Sequence, residues 1–254
     1  MNYATDVSPI IVDIETVGLP NAADFLEPIP DAVPDESPIV ADKRLTDPPK
    51  IAADVEKKQT ARDDDNREAQ AKVERQRVAR IEKCALDWNV GRISAIAWWT
   101  EAGGTEAYLG KDDHSEATAL MLFWRAAKSR TIVGYNVKGF DLRFMVQRSR
   151  YLGISYPDLD FSKYSHKGIE DLYLLLTFGD GTYDQGAMRR TLKAFCKRFG
   201  IPCQDETNGK DMPALVEAGE WEQVEAHVRS DVALTVALAR RLGVVRQPEP
   251  EAVL

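Results

Sequence analysis

The sequence predicts an α/β fold, strands covered by helices, with a charged helical insertion after the first strand. Three observations carry that expectation. The run Pro9-Ile10-Ile11-Val12-Asp13-Ile14-Glu15-Thr16 is apolar and β-branched, which reads as a buried strand near the N-terminus. Residues 92–100 and 105–109 are strand-like and flank Gly103-Gly104, the pattern of a hairpin. Further along, helical apolar spacing alternates with short apolar strands, as expected where helices cover a sheet.

Taken in order, the first strand is followed by Thr16-Val17-Gly18-Leu19-Pro20 and then a stretch rich in acid and proline, including Pro28, Pro30, Pro34 and Pro38. Fixed φ angles and missing donors make that stretch extended or loop-like. From Pro48 to about Lys83 the composition turns to Ala, Glu, Lys, Gln and Arg without interior Gly or Pro, which favours helix. Its apolar anchors are Ile51, Val55, Val73, Val78 and Ile81, with none around residues 62–67, so the helix is expected to project or break there. Residues 21–83 therefore form an insertion between the two parts of a main domain, 1–20 and 84–243, and 244–254 form a flexible tail with Pro248 and Pro250.

In the main domain, Trp98-Trp99 on the hairpin serves packing, and Asp113 caps a helix with Glu116 three residues on and Leu120, Phe123, Trp124 and Ala127 at helical spacing. Val133-Gly134-Tyr135-Asn136-Val137-Lys138-Gly139-Phe140-Asp141 passes from a short strand through a glycine-containing loop into a helix from about Phe140, so Asp141 falls in the first turn. A long helix runs from about Trp221 to Leu242. Positions four apart share a helix face, so His227 and Asp231 stack one turn from each other beside Trp221, Val224, Val228, Val232, Leu234 and Leu238.

Composition narrows the chemistry. The three cysteines, Cys84, Cys196 and Cys203, lack paired spacing, which argues against a disulfide framework or zinc site. No stretch is apolar enough to span a bilayer and the N-terminus lacks a signal pattern, so a cytoplasmic location and no membrane association are expected. A net charge of −8 counts against a nucleic-acid partner. Basic residues are nonetheless grouped: Arg189, Arg190, Lys193, Lys197 and Arg198 on one predicted helix, and Arg143, Arg148 and Arg150 on another, where they could follow a phosphate backbone.

The acidic residues supply the sharper signal. Strand alternation puts Asp13 and Glu15 on one face, where two buried anions repel unless a cation intervenes. Singly, each acid has a structural explanation: a solvated strand end, a dipole-complementing Asp141, a surface His227–Asp231 pair. In the order Asp-x-Glu on a strand, Asn-x-x-x-Phe-Asp at a strand-to-helix junction and His-x-x-x-Asp on a C-terminal helix, they read as a divided cage for two divalent cations. With three histidines in the chain, hard oxygen donors favour Mg²⁺ or Mn²⁺ over zinc.

In that motif order the chain resembles the DEDD superfamily of 3′-5′ exonucleases, and among them predicted phage and bacterial exonucleases similar to the proofreading domain of family B DNA polymerases; the resemblance implies the RNase H-like (DnaQ-like) fold, a mixed five-stranded sheet flanked by helices. Ile169-Glu170-Asp171-Leu172 is similar to that group's strand-to-helix His-Asp-Leu segment, and Lys197-Arg198-Phe199-Gly200-Ile201-Pro202 to its Leu-Gly-Ile-Pro stretch. The resemblance covers roughly the first twenty residues and everything from Ile93 to Leu242. One departure stands out: these families carry Tyr with three residues before the last Asp, or His with four, whereas His227 has the tyrosine-type spacing.

The resemblance implies a metal-dependent enzyme releasing nucleoside 5′-monophosphates from DNA 3′ ends, with single strands favoured. Asp13, Glu15 and Asp231 would hold one ion, Asp13 and Asp141 the second, and His227 would act as general base. Thr16, Gly18 and Leu19 are expected beside the terminal nucleotide, with Asn136 and Phe140 completing the substrate-binding set. RNA trimming is the nearest alternative, and a non-catalytic recruitment module is another. The insertion, residues 21–83, is a candidate clamp or docking arm for a replication or recombination protein.

Overall fold

The computed structural model describes residues 8–162, 165–179 and 190–247. In chain order the elements are β1 (Ile10–Gly18), α1 (Pro48–Lys83), β2 (Gly91–Thr100), β3 (Gly104–Leu109), α2 (Asp113–Ala126), β4 (Ile132–Gly134), α3 (Asp141–Leu152), β5 (Ile169–Asp171), α4 (Leu172–Leu176), α5 (Leu192–Arg198), α6 (Met212–Glu217) and α7 (Trp221–Arg241). Contacts divide the chain into two compact units, residues 1–19 with 84–254, and residues 20–83.

The first unit is built on one five-stranded sheet in the order β3-β2-β1-β4-β5. β1 pairs antiparallel with β2 and parallel with β4, and β4 pairs parallel with β5, so the sheet is mixed as expected. Strand alternation splits β1 between two cores. Ile10, Val12 and Ile14 pack with Phe123, Leu142, Phe144 and Met145 on one face, whereas Ile11 and Val17 pack on the other with Val224, Val228, Val232 and Leu238 of α7. Asp13 and Glu15 have the parity of Ile11 and Val17, and this puts them on the α7 face of the sheet.

A register shift between Glu15 and Thr16 leaves Ser94 of β2 unmatched. Parity on β2 changes there, so that Ile93, Ile96 and Trp98 all join the first core while Ala95 and Ala97 join the second. The start of β2 is tight. A Cβ on Gly91 would lie 2.6 Å from the Cys84 carbonyl oxygen and 2.7 Å from the Phe144 ring. Gly91→Ala is therefore expected to cost about 1–3 kcal/mol, read as a lower denaturant midpoint at unchanged slope.

Two expectations are corrected on this side of the sheet. The N-cap of α2 is Asp112 rather than Asp113: Asp112 is extended, its carboxylate accepts from Ser115 N–H, and Ser115 Oγ accepts in return from Asp112 N–H. Glu116 turns inward instead. It is fully buried, receives Arg148 at 2.7 and 2.8 Å and accepts from Ile93 N–H at 3.0 Å. Arg148 is thus a buried ion-pair partner, 4% exposed, and cannot contact a phosphate backbone as the basic grouping on that helix implied. Trp98 serves packing as read, stacked on Tyr108 with ring centroids 5.0 Å apart. At the far end, Val244 and Val245 pack into the second core.

The second unit holds an unbroken helix, α1, that buries none of its residues. The absence of apolar anchors around residues 62–67 predicted a break. Polar capture prevents it: Arg62 donates to the Ser37 carbonyl at 2.6 Å, and Asn66 both accepts from Asp35 N–H and donates to the Asp35 carbonyl. The same pattern runs along the helix, where Lys58 reaches the Val40 carbonyl, Arg77 the Ile29 carbonyl and Arg80 the Glu27 carbonyl. The proline-rich segment is extended as expected, with backbone groups that proline spacing leaves without a sheet partner bonded instead by helix side chains.

Candidate active site

The cage residues come from three elements. Asp13 and Glu15 project from β1 onto the α7 face, and α7 carries His227 and Asp231 one turn apart over that face. Asp141 is the first residue of α3. The β1–β4 ladder covers only Ile10 with Ile132 and Ile11 with Val133. Beyond it the Ile14 N–H is turned to the Asp141 carboxylate, which also accepts from its own backbone N–H. The end of β4 thus opens the gap into which Asp141 fits.

All four carboxylates have raised proton affinities, and Asp13 and Glu15 feel the charges of the other cage acids. Burial pushes Asp13 well above the ordinary carboxylate range, and the charges of Asp141, Glu15 and Asp231 add to it. Glu15, 7% exposed, is raised by burial and then by Asp231 and Asp141. Burial lifts Asp141 to about 7 against its two backbone hydrogen bonds. Asp231 is raised by burial, opposed by His227 and Lys193. Four acids that burial and repulsion push toward protonation are a poor arrangement for a metal-free core and a good one for cations.

Among the described residues, donor geometry joins two of the four acids with His227, without Asp13 or Asp141. Glu15, His227 and Asp231 offer ligand atoms all within 4.8 Å of one another, a set that could hold a metal ion. Asp231 Oδ1 is buried with no hydrogen-bond partner among the described residues, a lone acceptor in need of a cation or donor. His227 is 2% exposed, with Nε2 3.3 Å from Glu15 Oε1 and 3.9 Å from Asp231 Oδ2.

One residue at the site carried no sequence signal, and another was read for a different role. Asp205, in the loop before α6, meets His227 Nδ1 at 2.5 Å. Burial would raise the Asp205 carboxyl, but hydrogen bonds from His227 and Thr207 hold it below its ordinary value. Lys193 of α5 donates to the backbone carbonyls of Asp205 and Thr207 and lies 3.7 Å from the Asp205 carboxylate. The basic grouping on that helix placed Lys193 along a phosphate backbone; its ammonium instead sits by the cage, where it lowers the proton affinity of Glu15 and Asp231. Arg189 of the same grouping lies outside the described residues.

The expected substrate contacts are placed less favourably. Thr16 is buried and its hydroxyl donates to the Ala85 carbonyl at 2.5 Å, and Leu19 N–H donates to the Val90 carbonyl at 2.9 Å. Both groups are hydrogen-bonded within the fold. Gly18 pairs with Gly91 at the end of β1. Asn136 takes a left-handed φ of 60° with its N–H on Asp171, and its amide lies where a Cβ on Gly139 would meet it at 2.3 Å. Phe140 packs against the first core beside Phe144, an anchor beneath Asp141.

Comparison with known proteins now bears on the assembled site. A family model described as a predicted 3′-5′ exonuclease related to the exonuclease domain of PolB matches residues 88–247. The chain belongs to this exonuclease family. Its fold is similar to the structure of the family B DNA polymerase from the hyperthermophilic archaeon Pyrobaculum calidifontis, with a TM-score of 0.56 and 17% identity. That match covers 95% of this chain and 25% of the polymerase, so the chain spans about a quarter of the polymerase's length. No curated protein matches the chain. The fold is thus that of a polymerase exonuclease domain, RNase H-like, and the enzyme class is that of a 3′-5′ exonuclease. No helix among the described residues is long and apolar enough to cross a membrane.

Proposed function

We propose that this exonuclease removes nucleotides from DNA 3′ ends, single strands preferred, by two-metal-ion hydrolysis with Mg²⁺ or Mn²⁺. The observation that carries the reading is the meeting of Asp13, Glu15, Asp141 and Asp231 at one place, where all four proton affinities are raised and those of Asp13 and Glu15 are raised in part by the other acids. Glu15 and Asp231, with Asp13, would hold one ion, and Asp13 and Asp141 the other. When bound, the ions would lower the pKa of the attacking water and offset charge on the scissile phosphate and leaving oxygen.

His227 supplies the proton acceptor. Nδ1 faces Asp205, which leaves Nε2 toward the cage to take a proton from the attacking water. The water oxygen bonds to phosphorus as the bond from phosphorus to the 3′-oxygen breaks, the leaving oxygen gains a proton from solvent, and a nucleoside 5′-monophosphate departs. Asn136 and Phe140 shape the rim, and Gly18 and Leu19 close the end of β1. Residues 20–83, a compact unit of their own, are free in this scheme to engage a replication or recombination protein.

Replacing His227 with alanine is expected to reduce turnover by roughly 10²-fold or more with substrate affinity retained, checked by single-turnover rates and equilibrium binding. The reaction itself is tested with purified protein on 3′-labelled and 5′-labelled DNA and RNA, with Mg²⁺, Mn²⁺ or chelator. Products shortening from the 3′ end of DNA only when metal is supplied support the reading. A ladder on RNA alone assigns RNA trimming, and no metal-dependent ladder on either polymer overturns it.

A further inference from the structure

We propose that Asp205 is a positioning residue for His227, fixing the imidazole in the tautomer that keeps a lone pair on Nε2 toward the carboxylate cage. The inference rests on the proposed role of His227 as proton acceptor. Its basis is geometric. The His227 ring is 2% exposed, so both nitrogens must find partners within the protein. A carboxylate beside Nδ1 accepts a proton held there, which leaves Nε2 as the acceptor in the neutral ring. Nε2 then points at Glu15 and Asp231 and nowhere toward solvent.

Asp205 is itself held. Thr207 N–H donates to Oδ1 at 2.9 Å, leaving Oδ2 for the imidazole, and Lys193 ties the loop carbonyls of Asp205 and Thr207 to α5. A loop otherwise without regular structure is thereby fixed at the residue that meets His227. An acceptor buried beside anions gains most from such a partner, because the ring that has taken a proton stays paired at Nδ1 and is spared an uncompensated buried charge. A phenol accepts a proton at one atom, whereas imidazole has two nitrogens and needs something to choose between them.

The test compares Asp205→Asn, Asp205→Ala and Asp205→Glu with the parent and with His227→Ala. Asp205→Ala is expected to lower kcat on the order of 10²-fold with KM and Mn²⁺ affinity unchanged, and Asp205→Glu to recover part of that loss. In the His227→Ala background the Asp205→Ala change should cost nothing further, because it acts only through the ring. Nitrogen-15 NMR of the imidazoles should show His227 protonated at Nδ1 in the parent and a mixture of tautomers in Asp205→Asn. A further kcat loss in the His227→Ala background, or an unchanged tautomer in Asp205→Asn, would overturn the proposal. A parent that cleaves nothing defeats the functional reading alone, since the tautomer measurement still decides the role of Asp205.

Discussion

Asp13→Asn is expected to reduce metal-dependent cleavage on the order of 10³-fold while making the metal-free protein more stable. Asp13 feels repulsion from Asp141, Glu15 and Asp231 together, which makes it the point through which the carboxylates are linked. In the proposed scheme it serves both ions, so its loss leaves neither with a full donor set, and the electrostatic stabilisation lost with them is a large share of catalysis. The amide is nearly isosteric. It removes a half-buried carboxyl opposed by three others, so unfolding in chelator should shift to higher temperature. Initial rates on a labelled oligonucleotide and thermal unfolding in chelator check both arms. Equal turnover, or lower stability without metal, would remove Asp13 from the cage.

The second large effect is the pH dependence of stability without metal. Burial raises Asp141 from 3.8 to about 7, and burial raises Asp13, Glu15 and Asp231 as well. A carboxyl raised on folding binds more protons in the native state than in the unfolded chain, so stability falls with rising pH between the two values. Its stabilising contribution is fully present below pH 3.8 and is lost as pH passes about 7. For Asp141 alone the displacement corresponds to roughly 4 kcal/mol, at about 1.4 kcal/mol for each pKa unit. The metal-free protein should therefore lose stability from about pH 4 to about pH 8, most steeply about midway between the unfolded and folded values of Asp141. Asp141→Asn should flatten that slope, and added Mn²⁺ should reverse it by binding the ionised cage. Thermal unfolding across pH in chelator measures all three, and a slope identical in Asp141→Asn and parent would contradict the assignment.

The fold was legible where local chemistry and packing agree. β-branched runs, Gly103-Gly104 and the apolar face of residues 221–241 each specify an element that the tertiary structure then uses. The placement of Asp13 and Glu15 on a common face followed from strand period alone. Helix capping was misread by one residue, because Asp112 and Asp113 are both capable caps and the choice depends on which side chain Ser115 can reciprocate. The unbroken α1 was hidden for a related reason: its support comes from side chains bonding a proline-rich backbone segment distant in sequence, and periodicity registers only apolar support.

Within the site, the residues that could be found were those on regular elements. Asp205 lies on an irregular loop, 22 residues from its partner His227, and no spacing rule connects a loop carboxylate to a helix imidazole. Lys193 was visible as one of a basic group, but its direction depends on the loop carbonyls it bonds. Arg148 failed in the opposite sense, since a charge that looks available in sequence is consumed by a buried carboxylate, Glu116.

The central claim, that the carboxylates of β1, α3 and α7 form one cation-binding centre, is tested most directly by counting Mn²⁺ bound to the parent, Asp13→Asn and Asp231→Asn using the paramagnetic resonance signal of free Mn²⁺. The account predicts saturation at two ions per parent chain and weakened binding in both variants. Parent and variants binding Mn²⁺ with the same stoichiometry and affinity would contradict it.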